Sequence, residues 1–288
     1  MLTIGFIGSG NMACALGGGL RLPGSAAGPT RLVATDVEPG ARARFEKETG
    51  GTTFASAGEV LRESDVVVLA VKPQVLPAVL ADLAPLVEDR HLFVSIAAGA
   101  SLDTLERGLG GKARVVRAMP NTPALVREGM TVLVAGRATR AGDVDLAERI
   151  FRAAGDVAVV DDESLLDPVT ALSGSGPGFL FAYAEAMLRA GEQSGLPPEL
   201  AKRLLQKTLI GSAILWRESS EPVEKLRANV TSPGGTTQAG LEALAAGGFA
   251  RAIGDAVLAA TRRSRESSGG GGSGSGGSAG GAPPAKKS

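Results

Sequence analysis

Through the first half of the chain, short apolar runs alternate with longer stretches of mixed polarity. Residues 2–7, 31–36, 65–71, 91–97, 114–119, 131–135 and 156–160 read as strands. Several of these runs are nearly unbroken Val, Ile, Leu and Ala, as expected of strands covered by helices on both faces. Strand and helix alternating in this way predict an α/β fold built on a doubly wound, mainly parallel sheet.

Beyond about Asp161 the strand runs stop. Residues 163–194, 197–218, 222–229, 233–246 and 249–266 read as helices, separated by Gly195 with Pro197-Pro198, by Glu221-Pro222 and by Gly247-Gly248. The pattern therefore divides the chain into a sheet domain over residues 1–161 and an all-helical domain over residues 162–266. Ala182 to Leu188 is almost wholly apolar, as are Leu204-Leu205 and Thr208 to Leu215. A small helical lobe has too little interior to hide all of this, so a second subunit is expected to cover some of it. Residues 267–288 are Gly/Ser-rich and end in Ala-Pro-Pro-Ala-Lys-Lys-Ser; with nothing to bury, they are expected to be a disordered tail.

Composition removes several classes of function. Thirty Lys and Arg balance 30 Asp and Glu, so no net field favours nucleic acid or an anionic membrane surface. Aromatic residues are scarce, which leaves no stacking platform for single strands. Cys14 is the only cysteine and His91 the only histidine, so no zinc cluster, disulfide framework or Cys/His catalytic pair can be assembled. The opening Met1-Leu2-Thr3-Ile4-Gly5-Phe6 has the pattern of a strand rather than a signal peptide, and no segment approaches the apolar length of a membrane span. A cytoplasmic protein with a small-molecule substrate, no nucleic-acid partner and no membrane is expected.

Gly8-Ser9-Gly10-Asn11-Met12-Ala13 follows the first strand directly and opens a helix. The first glycine permits a tight turn, the second lets a pyrophosphate approach the backbone, and Ala13 allows close packing of helix on sheet. Strand, glycines, helix, second strand and terminal acid all occur in order, which makes this a Rossmann-like dinucleotide site. Gly8 and Gly10 are its expected turn and pyrophosphate positions. Asp36 ends the second strand, where a carboxylate binds the ribose hydroxyls of NADH and repels the 2′-phosphate of NADPH. Arg42 and Arg44 lie close enough in sequence to pair with such a phosphate, but they read better as a solvated helix face, so the cofactor is NADH or NADPH with a lean towards NADH. Ala70-Val71-Lys72-Pro73 stands at the ligand edge of the next strand, and Lys72 can reach cofactor phosphate or ribose. At the end of the strand after that, Ser95-Ile96-Ala97-Ala98-Gly99 holds the corresponding position, with small residues to admit a nicotinamide ring.

At the other end of the chain, Val230-Thr231-Ser232-Pro233-Gly234-Gly235-Thr236-Thr237 combines hydroxyls, a glycine pair and a helix start. Ser232 is the expected N-cap and Pro233 the first helical residue. The outward N–H groups of such a start suit a carboxylate or phosphate.

These residues resemble those of pyrroline-5-carboxylate reductases from Met1 to about Glu266. The segments that carry the likeness are Gly5-Phe6-Ile7-Gly8-Ser9-Gly10-Asn11-Met12, Ala70-Val71-Lys72-Pro73, Ser95-Ile96-Ala97-Ala98-Gly99, Arg117-Ala118-Met119-Pro120-Asn121-Thr122-Pro123, Leu172-Ser173-Gly174-Ser175-Gly176-Pro177 and the run around Ser232. The resemblance implies reduction of 1-pyrroline-5-carboxylate to L-proline, the last step of proline biosynthesis. It further implies a domain-swapped helical homodimer, often assembled into decamers. Carried onto matching positions, it puts the nucleotide on Ile7, Gly8, Ser9, Gly10, Asn11 and Met12 and on Ala70 to Pro73, and substrate against Ser232, Gly234, Gly235, Thr236 and Thr237, with Asn229 and Glu163 near the junction of cofactor and substrate. Thr237 Oγ is then expected to hydrogen-bond the ring nitrogen as the catalytic contact, and the N–H groups around Gly234 to Thr236 to hold the carboxylate. Three positions depart from the family pattern: Gly178 for a common alanine, Ala57 for a frequent asparagine, and Ala228 for an aspartate. The competing readings are another two-domain imine reductase, a β-hydroxyacid dehydrogenase, or a non-catalytic NAD(P)-sensing protein. The dehydrogenase relies on a lysine in its interdomain helix, and none occurs between Ser173 and Ser194.

Overall fold

The computed structural model describes residues 1–269. Eight strands form one sheet in the order β3-β2-β1-β4-β5-β6-β7-β8. They are β1 Leu2–Ile7, β2 Thr30–Thr35, β3 Thr52–Thr53, β4 Val66–Leu69, β5 Leu92–Ser95, β6 Arg114–Met119, β7 Gly129–Ala135 and β8 Gly155–Val160. Every neighbouring pair is parallel except β6 and β7. The short edge strand β3 lies outside the predicted set, because two residues beside Gly50-Gly51 carry no readable alternation. Strand order reverses between β1 and β4, and the crevice beyond the carboxyl ends of strands at such a point is where open α/β sheets bind ligands.

The crossovers are α1 Asn11–Leu20, α2 Pro39–Thr49, α3 Ala57–Glu63, α4 Leu76–Leu83, α5 Leu102–Gly108 and α6 Asp143–Phe151. Alternate residues of the central strands go to opposite faces. Val66 and Val68 join Phe6, Leu16, Phe45 and Phe151 in the core under α1, α2 and α6. Val67 and Leu69 join Val60, Leu80, Phe93 and Leu105 under α3, α4 and α5. Burial on both faces is why these strands are so uniformly apolar.

From Glu163 onward the chain is helical: α7 Leu166–Val169, α8 Gly176–Gln193, α9 Pro198–Glu218, α10 Val223–Asn229, α11 Thr236–Ala246 and α12 Phe249–Gly269. Three features differ from expectation. The helix predicted over 163–194 is not continuous: a 3-10 turn Glu163–Leu165, α7 and a π-helical turn Thr170–Gly174 precede α8. Next, α11 begins at Thr236, with Gly235 and not Ser232 at the N-cap. Finally, α12 runs to Gly269, so residues 267–269 extend a helix where the tail is predicted to begin. The remaining tail, residues 270–288, lies outside the described residues.

Among the described residues of α8 to α12, only Ala201 and Thr261 are buried. Phe181, Ile210, Leu215, Trp216 and Leu258 all stand exposed. Apolar surface on this scale needs a cover. No single helix among the described residues is long and apolar enough to cross a membrane.

Candidate functional site

The glycine turn after β1 is built by close approach. Gly8 has φ +95°, and a Cβ there would stand 2.6 Å from the Ala70 carbonyl oxygen, inside van der Waals contact. A glycine is therefore required where the β1 and β4 loops touch. At Gly10 a Cβ would meet nothing within 4 Å, so the backbone faces open space. Gly10 is also the N-cap of α1 and supplies no side-chain cap. The first N–H groups of α1 thus remain available at the positive end of the helix dipole. Ala13, at the third small position, is completely buried. This open, uncapped cradle at the switch point fits the pyrophosphate of a dinucleotide.

Asp36 follows β2 and turns towards the cradle. Its Oδ2 accepts the Ser9 N–H at 2.8 Å and its Oδ1 the Glu38 N–H at 3.0 Å. The Arg42 guanidinium donates to the Asp36 carbonyl oxygen. Arg44 takes a different direction and lines a groove with Asn11, Cys14 and Glu48. Cys14 is buried, and desolvation followed by the nearby Glu48 charge raises its thiol pKa, which keeps it protonated and unreactive at neutral pH.

Beyond β4, Val71 is half-buried and Lys72 and Pro73 are exposed on the ligand edge. Ala97 follows β5 with its methyl buried in the core, so the backbone is what it can offer a nicotinamide. Pro73, Ala98, Gly99, Thr170 and Ser175 line one cavity of about 720 Å³ with Ser264 and Ser267 of α12. A Ser264–Asp167 hydrogen bond of 2.6 Å ties α12 to α7 beside it.

Glu163 sits at the start of the helical half. One oxygen, Oε1, accepts the Leu102 N–H at 2.7 Å and pairs with Arg117 Nη1 at 2.6 Å. It thereby joins the first turn of α5, strand β6 and the beginning of the helices. The spacing of these three residues carries no sequence signal for that junction.

The expected substrate turn has its own geometry. Gly235 N–H donates to the Ser232 carbonyl at 3.0 Å, and Gly234 has φ +68°. Ser232-Pro233-Gly234-Gly235 is thus a tight turn with Pro in its second place and a left-handed Gly in its third, the type II arrangement. That turn displaces the helix start by three residues and removes Ser232 from the cap. Ser232 Oγ packs against Gly235, where a Cβ would stand only 2.3 Å from it. Gln238 Oε1 accepts the Gly234 N–H at 2.8 Å. With the Gly234 and Gly235 N–H groups engaged, the free donors of α11 are those of Thr236, Thr237 and Gln238. Gln238 is a residue that the motif alone does not single out.

Among the described residues, the hydrogen bonds of the segment 229–237 remain inside α10, α11 and the turn between them. Asn229, Ser232 and Thr237 are exposed there. Among the described residues no cluster of three metal-ligating side chains occurs.

Two family models match different parts of the chain. Residues 163–267 match the family described as pyrroline-5-carboxylate reductase dimerisation. Residues 3–99 match the family described as NADP oxidoreductase coenzyme F420-dependent. A pyrroline-5-carboxylate reductase of Pseudomonas aeruginosa is 43% identical over 263 residues, which is 91% of this chain and 95% of that protein. The solved pyrroline-5-carboxylate reductase of Coxiella burnetii superposes with a TM-score of 0.83 at 38% identity, covering 92% of this chain and 98% of that one. The Plasmodium falciparum pyrroline carboxylate reductase, solved with NADP bound, gives 0.82 at 31% identity over 93% and 98%. An oxidoreductase sheet domain with a nicotinamide-cofactor cradle precedes a helical dimerisation region along this sequence, and the chain belongs to the pyrroline-5-carboxylate reductase family.

Proposed function

We propose that this protein reduces the imine of 1-pyrroline-5-carboxylate to L-proline, and that residues 232–238 are its imino-acid clamp. The observation that carries the reading is the pairing of an open dinucleotide cradle with an uncapped helix start that presents hydroxyls. The bound nicotinamide supplies a hydride to the imine carbon. The chain's own task is then placement, because a protonated cyclic imine needs little further proton transfer. Thr236, Thr237 and Gln238 N–H groups take the substrate carboxylate, helped by the dipole of α11. Thr237 Oγ accepts the N–H of the ring nitrogen and orients the ring. Ser232, Gly234 and Gly235 shape the turn that aims these groups. Asn229 stands where the turn meets cofactor, and Glu163 acts through Leu102 and Arg117 by holding the sheet edge to the helices.

On the cofactor side, Ile7 to Met12 hold the pyrophosphate, while Ala70 to Pro73 and Ala97 flank the ribose and nicotinamide. Asp36, already oriented by the Ser9 and Glu38 N–H groups, favours NADH. Arg42 beside it leaves room for some use of NADPH. Asp36→Ser is expected to raise the NADPH/NADH ratio of kcat/KM about tenfold or more, the size of one lost charge repulsion; an unchanged ratio contradicts the role.

The exposure of Asn229, Ser232 and Thr237, with no hydrogen bond from residues 229–237 to the sheet half among the described residues, supports a site completed by a second copy. A homodimer through α8 to α12 buries the exposed apolar helices and brings one chain's turn to the other's cofactor edge. A decamer of such dimers is the further assembly that the family resemblance suggests. A cytoplasmic setting agrees with a sole, buried and unpaired cysteine. The test follows NADH and NADPH oxidation with pyrroline-5-carboxylate and, separately, with 3-keto acids. Turnover of the imine alone is expected. Turnover of the keto acids would favour a β-hydroxyacid dehydrogenase, and cofactor binding without turnover a sensor.

A further inference from the structure

We propose that Asn121 is a positioning residue for this reaction, clamping the π-helical turn Thr170–Gly174 to the end of β6 so that Thr170 and Ser175 face the nicotinamide cavity in one register. The proposal rests on the reduction assigned above, and it gives a role to a motif residue that neither binds cofactor nor touches the substrate turn.

Asn121 lies two residues beyond β6, where the antiparallel pairing of β6 with β7 begins. Its two ends do different jobs. Oδ1 accepts the Met130 N–H at 2.9 Å and so closes the start of β7. Nδ2 reaches across to the helical half, donating to Ser173 Oγ at 3.1 Å and more weakly to the Ser173 carbonyl at 3.4 Å. Beside it, a Cβ on Gly174 would come within 2.7 Å of Met119 Cε. The end of β6 thus grips two consecutive residues of the π turn, one by hydrogen bonds and one by contact.

That turn is a conformation with a near alternative. Ser175 N–H bonds the carbonyl of Thr170 at 2.8 Å, five residues back. Ordinary α-helical bonding would pair Ser175 with Ala171 and rotate every following residue by one position. Single π turns inside helices are uncommon and occur often at functional sites. Thr170 and Ser175 share the cavity wall with Pro73, Ala98 and Gly99, so a change of register here displaces the wall that faces the cofactor. A shift of about one ångström is enough to cost a large factor in a reaction that depends on placement.

Asn121→Asp separates the two functions. It keeps an acceptor for Met130 and replaces both N–H donors with a carboxylate that the Ser173 carbonyl repels, leaving only a reversed bond from the Ser173 hydroxyl in their place. Ser173→Ala removes one contact from the other side and leaves the β7 closure untouched. Two readouts apply to both variants: amide hydrogen exchange of the unliganded chain, and kinetics with cofactor deuterated at C4. Asn121→Asp is expected to speed exchange across residues 170–176 while β1 to β5 stay protected. It should also lower kcat about tenfold, leave the cofactor KM within about twofold, and raise the deuterium isotope effect as hydride transfer becomes limiting. Ser173→Ala should move each quantity the same way by less, which keeps the test open if Asn121→Asp folds poorly. Unchanged exchange at 170–176, or faster exchange with kcat and isotope effect unmoved, overturns the proposal. A wild-type chain that turns over no pyrroline-5-carboxylate overturns the assigned reaction instead, and the exchange result then decides the clamp by itself.

Discussion

Thr237 is exposed in the protomer, and among the described residues its Oγ makes no hydrogen bond to another element. Thr237→Ala should therefore leave thermal stability within about 0.5 kcal/mol while lowering kcat/KM by an order of magnitude or more. Thr237→Ser should recover most of that loss. Equal kinetics for all three would remove the hydroxyl from the site. His91 shows the opposite balance, since it is buried just before β5, at the end of the strands opposite the cofactor cradle. Its Nδ1 accepts the Glu88 N–H at 2.9 Å, so the proton of the neutral ring sits on Nε2. Burial first, and the Arg90 charge second, push its pKa below the ordinary value. The unfolded chain then binds a proton more readily than the folded one, and stability falls as pH drops below about 6.5. This is the only histidine, so a decline in melting temperature between about pH 7 and 5.5 should be largely absent in His91→Gln. An identical decline in both proteins would show that the group does not carry it.

At the scale of elements, the turn before α11 is the piece whose shape most constrains chemistry. Gly234 occupies the left-handed region at φ +68°, with open space where a Cβ would go. Gly234→Ala then costs backbone strain of about 1 kcal/mol without a clash. Its expected effect is a raised KM for the imino acid with an unaltered KM for cofactor; a purely global loss of stability would contradict the clamp. The same turn shows where a sequence stops being legible. Strand positions are readable because continuous apolar runs and the glycine fingerprint are local signals, and β1, β6 and the start of α1 lie where those signals put them. Ser-Pro before a helical pattern looks like a cap and first helical residue, yet Pro233-Gly234 satisfies a type II turn equally well. The turn prevails, and the helix starts at Thr236. The π turn is hidden for a related reason. Residues 163–194 keep a helical pattern throughout, and the contacts of Ser173 and Gly174 in the turn are with Asn121 and Met119, far away in sequence, where no local pattern records them.

For the whole molecule, the sheet half is self-sufficient and the helical half is not. Both faces of the sheet are covered, with Phe6, Phe45, Phe93 and Phe151 fully enclosed. The helices from α8 onward leave Phe181, Ile210 and Trp216 in solvent. A second copy as the cover for that apolar surface is what the proposed clamp calls for, since it would bring a second chain's turn to the cradle. The most direct check incubates the purified protein with pyrroline-5-carboxylate and NADH dideuterated at C4, then examines the product by mass spectrometry and NMR. One deuterium at C5 of L-proline, formed in step with NADH consumption, is the expected result. Proline without deuterium at C5, or cofactor that binds and is never oxidised, would contradict hydride transfer to the imine.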